Sequence, residues 1–173
     1  MHPLFNDLNE AFIWAPDGAS LTLRNNLHRG LFGQVFSLSS DHDWLALNRE
    51  ESLSILHGIL MSMASKGCYL ETLPVIHKMM DLVAESLGVS RDVTDLNKNQ
   101  VGTAIMKSMS LFRFHLLLLK TEAYLQNQIG NVDVAKALLE KVLEFDGCNR
   151  LGARELLESL PATVISDELS TNG

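Results

Sequence analysis

Lys120, Tyr124 and Asn127 stand four and then three residues apart, so in a helix they share one face and present an ammonium, a phenol and an amide in a row. Groups of that kind can hydrogen-bond the backbone of an extended peptide, and these three are the candidate partner-binding residues. Other chemistry-bearing side chains do not assemble in the same way. Asp41, His42 and Asp43 are metal-ligating types, but three sequence neighbours do not easily face one ion, and no second cluster completes a shell, so they read as a solvated loop or helix cap. His57, His77 and His115 fall on separate helical segments with no nucleophile and paired base around them. Cys68 and Cys148 each follow a glycine and are too few for a disulfide framework, which predicts a reduced, cytoplasmic compartment. The expectation is therefore no catalytic residue, no cofactor and no bound metal, and not an enzyme.

Binding residues need rigid elements beneath them, and the composition points to helices. The 173 residues are 46% hydrophobic and 6% aromatic. Leu, Met and Ala are frequent and no useful period-2 strand occurs, so an all-α fold is expected. A net charge of −7 disfavours phosphate-led binding to nucleic acid and suits a basic or amphipathic protein partner. The first residues lack the pattern of a secretory signal, and the longest apolar run, 105–119, is interrupted by Lys107, Arg113 and His115, so no membrane insertion is expected.

In chain order, Leu4, Phe5, Leu8, Ala11 and Phe12 mark a short amphipathic helix, which either packs on its own domain or exchanges between subunits, giving a possible homodimer through residues 4–14. Leu23, Leu27, Leu31, Val35 and Leu38 predict a second helix opening at Ser20. Asn48 and Glu51 have the spacing of a capping box for a helix over 49–65, and Lys66-Gly67-Cys68-Tyr69 turns it into a return helix over 70–87. From about Lys98 a long helix is predicted to run towards Gln128, with a bend near Ser108 and Ser110. A short last helix carries Leu151, Leu156, Leu157 and Leu160 up to Pro161, and 162–173 reads as a flexible C-terminal tail after a single domain over 1–161.

The stretch 116–149 is the best organised. Ala135, Leu138, Leu139, Val142 and Phe145 form one stripe, the first limb answers it with Leu119 and Ala123, and Gly130-Asn131 makes the turn. With Val142-Leu143-Glu144-Phe145-Asp146 and Asn149, this resembles a tetratricopeptide repeat, a helical hairpin of roughly 34 residues that stacks into solenoids. Gln126 and Gly147 depart from the pattern, where a bulky apolar residue and a proline are usual. The earlier hairpin keeps Gly67 and Tyr69 but places Leu60 and Thr72 where small residues are expected. The resemblance implies antiparallel helical hairpins in an irregular, tetratricopeptide-like solenoid of about seven helices. It also implies an adaptor that binds a peptide or amphipathic helix of another protein, of which a bacterial secretion chaperone is one form. Two other readings compete: a transcriptional regulator or sensory domain using the helix-turn-helix-like segment 82–96, and a structural subunit of an obligate oligomer.

Overall fold

The computed structural model describes residues 3–14, 49–91 and 95–161. They form α1 (Pro3–Trp14), α2 (Arg49–Ser65), α3 (Tyr69–Leu87), α4 (Lys98–Lys107), α5 (Met109–Gln128), α6 (Val132–Phe145) and α7 (Ala153–Glu158), with no strand among the described residues. The chain is all-α, as its composition predicts. The helix expected to open at Ser20, the Asp41-His42-Asp43 cluster and the tail over 162–173 lie outside the described residues.

Every residue from Phe114 to Gln126 is buried, because α5 runs through the middle of the molecule with α1, α3, α4 and α6 packed around it. A helix apolar on all sides has to be enclosed in this way. The polar residues in that stretch then need partners inside the protein. Thr121 Oγ1 donates to the Leu117 carbonyl at 2.7 Å, Glu122 Oε1 lies 2.8 Å from His77 Nε2 on α3, and Gln126 Oε1 accepts from the Asn131 side chain at 2.8 Å. Gln126 thereby has a local role, since its amide oxygen ties down the turn that follows. His115 is the exception: it is 1% exposed and its Nδ1 has no hydrogen-bond partner among the described residues.

Both hairpins turn on a left-handed glycine. Gly67 has φ +75° and Gly130 has φ +88°, and in each turn the next residue's N–H reaches back into the preceding helix, Cys68 to the Met63 carbonyl at 3.0 Å and Asn131 to the Gln126 carbonyl at 2.8 Å. Between α5 and α6 the small pair Ala123 and Ala135 is fully buried beside Leu119 and Leu139. Burying each leucine side chain contributes about 1.5–3 kcal/mol relative to leaving it exposed. The expected stripe on α6 is buried at Ala135, Leu138, Leu139 and Val142, while Phe145 is half-buried with its ring edge-on to Phe112 at 6.5 Å.

One sequence expectation changes. The long helix from Lys98 is two helices, α4 and α5, separated at Ser108. That residue is extended (φ −163°, ψ 106°), and its Oγ accepts the Leu111 N–H at 3.2 Å, so a serine that competes with the helical backbone serves as a cap. In the segment resembling a helix-turn-helix, Gly88 ends α3 at φ +71°. The described residues that follow, 89–91 and 95–97, are not helical, and α4 starts only after Asn97 and Gln100 form a capping box.

Candidate protein-binding site

The candidate site is the face of α5 turned towards α1. Leu4, Phe5 and Leu8 of α1 are almost completely buried. A short helix with such a stripe is stable only against a receiving surface, and α5 supplies it. The Phe5 ring meets Tyr124 edge-on at 5.7 Å, and Tyr69 at the start of α3 meets Tyr124 from another side at 6.1 Å, again edge-on. Burial, reinforced by a hydrogen bond with the Tyr69 hydroxyl, pushes the Tyr124 hydroxyl up to about 12.

Lys120, one helical turn earlier, joins three parts of the chain. Its ammonium donates to the Leu151 carbonyl and lies 3.7 Å from an Asp7 carboxylate oxygen on α1. The segment that brings Leu151 there is fixed locally. Asp146 Oδ2 accepts the Leu151 N–H at 2.7 Å, and Asn149, left-handed at φ +52°, accepts the Arg154 N–H at 2.9 Å and donates to Glu155. Burial draws the Lys120 ammonium below the usual lysine range, and the charges of Asp7, Glu155 and Asp146 oppose that fall.

The three residues expected to line an open groove therefore sit differently. Lys120 and Tyr124 do share a face, but both are buried, and Asn127 further along the helix is half-buried. The reason is α1: the surface read as open is covered by the chain's own N-terminal helix. Lys120 is polar because it has Asp7 and the Leu151 carbonyl to meet.

The open surface lies beside this contact, towards the start of α5. A cleft of about 910 Å³ has Met109, Arg113, Leu117 and Lys120 of α5 among its lining residues, with Asp7 and Glu10 of α1 and Asn149, Arg150, Leu151 and Gly152 after α6. Met109 is 59% exposed, and Arg113 and Arg150 are also exposed. The side chains of Glu10, Arg113 and Arg150 form no ion pair with another described residue. The sequence carried a signal for this site, since Met109, Arg113 and Leu117 continue the face of Lys120 at helical spacing. Its other walls could not be read from α5 alone.

Among the described residues, no group of three or more His, Cys, Asp and Glu side chains is arranged to hold a metal ion. Cys68 and Cys148 are free thiols. No described helix is long and apolar enough to cross a membrane.

No family model matches the chain, and no solved structure matches it. It is similar to an uncharacterized 19.8 kDa protein in the nifW 5' region of Azotobacter chroococcum mcd 1, at 32% identity over 110 residues, which cover 64% of this chain. The match spans 62% of that relative's length.

Proposed function

We propose that this chain is a protein-interaction module that receives a segment of another protein on the face of α5 bounded by α1 and by the 149–152 segment. The observation that carries this reading is the division of one helix face into a filled part and an open part. Over Lys120 and Tyr124 the face already holds a helix, α1, seated by an aromatic edge contact and an acid–ammonium pair. Over Met109 and Arg113, both exposed, the same face continues into the cleft. An exposed methionine beside charges without ion-pair partners among the described residues is the kind of surface on which partner segments dock. The turn at Gly130 and the buried Ala123–Ala135 pair support a tetratricopeptide-like description of the α5–α6 hairpin, and protein binding is the function class which that description implies.

The test is site-specific photo-crosslinking of the intact chain in its native cells. A photoreactive residue at Met109 is expected to capture a discrete protein, and Arg113→Glu in the same chain is expected to abolish the capture. A photoreactive residue at the exposed Val134 on α6 serves as the reference. Equal, unselective capture from the two positions, or no capture at Met109, would reject the reading.

A further inference from the structure

The charges left over in the cleft specify its occupant more narrowly. Of the five charged residues lining it, Lys120 and Asp7 face each other at 3.7 Å, and Lys120 also donates to the Leu151 carbonyl. That pair is largely satisfied within the protein. What remains are two cations, Arg113 on the floor and Arg150 on the wall formed by the 149–152 segment, and one anion, Glu10 on the α1 wall. Guanidinium groups recognise carboxylates through paired, coplanar hydrogen bonds, so the floor and the 149–152 wall call for acid while the α1 wall calls for base. Between them Met109 offers a flexible apolar side chain able to fit against varied partners.

Shape adds a second constraint. From Met109 to Lys120 the α5 floor extends roughly 16 Å at 1.5 Å per residue, about three helical turns. A volume of about 910 Å³ stands near the upper end of what small-molecule pockets usually enclose, ~300–1,000 Å³. An elongated floor with opposite signs on its two walls fits a helix better than a small anion, which would satisfy the arginines and leave Glu10 facing it. The precedent lies alongside, since α1 is a 12-residue helix that already rests on α5 through apolar residues and one acid.

Building on the reading of this chain as an interaction module, we infer that the cleft binds an amphipathic helical segment of a partner protein, about three turns long. That segment carries acidic residues along the edge facing Arg113 and Arg150 and a basic residue along the edge facing Glu10. The apolar stripe between the two edges rests on the exposed Met109, since Leu117 is buried within the protein. Exposed charges of this kind set specificity and encounter rate.

The experiment is selection of a random dodecapeptide library on the intact chain, followed by binding of the enriched peptides by fluorescence anisotropy. Enriched sequences are expected to carry both signs on opposite edges of one apolar stripe. They are expected to lose at least tenfold in affinity to the Arg113→Glu/Arg150→Glu variant and less than twofold to Val134→Asp. Reversing the peptide's acids to lysine should restore binding to the double variant and lower it to the original chain. Enrichment of peptides with only acidic charge, or equal binding to the double variant, overturns the two-signed helix while leaving the module reading intact. Absence of any enriched peptide also overturns it, and capture at Met109 in the crosslinking experiment then decides separately whether the module reading survives.

Discussion

The two halves of α5 contrast along a single face. Towards its C-terminal end, Lys120 and Tyr124 are buried, and each is held by groups from distant parts of the chain: Phe5, Asp7, Tyr69 and Leu151. Towards its N-terminal end, Met109 and Arg113 continue the same face in the open, beside a glutamate and a second arginine that have no ion-pair partner among the described residues. Identical helical spacing thus produces a structural contact in one half and an accessible surface in the other. What differs is whether the chain supplies its own occupant. Polarity at a helix position is therefore an ambiguous mark of a binding residue, and it resolves only when long-range partners are known.

The largest expected effect tests the filled half. Tyr124→Ala removes the ring that joins α1, α3 and α5, and truncating a buried aromatic typically costs about 3–5 kcal/mol. Met109→Ala in the open half should stay within about 0.5 kcal/mol, the usual range for surface changes. Urea denaturation of both variants would measure the contrast, with the Tyr124 midpoint falling at unchanged slope. Similar losses at the two positions would mean that the two halves are not different in kind.

That contrast also explains what could be read from the residues alone. The all-α class, the stripe on α6, the turn at Gly130 and the burial of Ala123 and Ala135 follow from local rules of periodicity and backbone freedom, and these elements were legible. The interruption at Ser108 was half legible, as a bend. The placement of Lys120 and Tyr124 was not, because it depends on Phe5 and Asp7 more than 100 residues upstream and on a carbonyl at Leu151. A lysine inside an apolar run reads as an exposed functional group unless its buried acceptor is known. The cleft was invisible for the same reason, since its walls come from three separated segments.

The second effect belongs to the enclosed stretch of α5. Burial lowers the His115 pKa from 6.5 to about 4, so the folded protein keeps this imidazole neutral where the unfolded chain already binds a proton. Its contribution to stability is complete above pH 6.5 and is lost as pH falls towards 4, a difference of roughly 3 kcal/mol between those limits. His115→Leu removes the titrating group and the unpartnered Nδ1 together. The stability difference between variant and parent chain, followed by chemical denaturation from pH 7.5 to 4, should shift in favour of the variant as the pH drops. A difference that does not change with pH would show that His115 is solvated in solution and that this part of α5 is less tightly closed than the structure has it.

The smallest effect on stability separates the halves most sharply by function. Lys120→Met leaves the Leu151 carbonyl without its donor and Asp7 without its counter-charge, and an unsatisfied buried acceptor costs about 1–3 kcal/mol. Arg113→Met, two turns away on the same face, should change stability by less than about 0.5 kcal/mol, because no contact within the described chain depends on its charge. Binding should follow the opposite order. Arg113→Met weakens capture of a helical partner directly, whereas Lys120→Met weakens it only as far as α1 and the 149–152 segment lose their positions. Measuring both quantities for both variants places each residue on one side of the division. A Lys120 variant that kept full stability but lost binding would return that residue to the partner-contacting role its polarity first implied, and α1 would then be an occupant that leaves when the partner arrives.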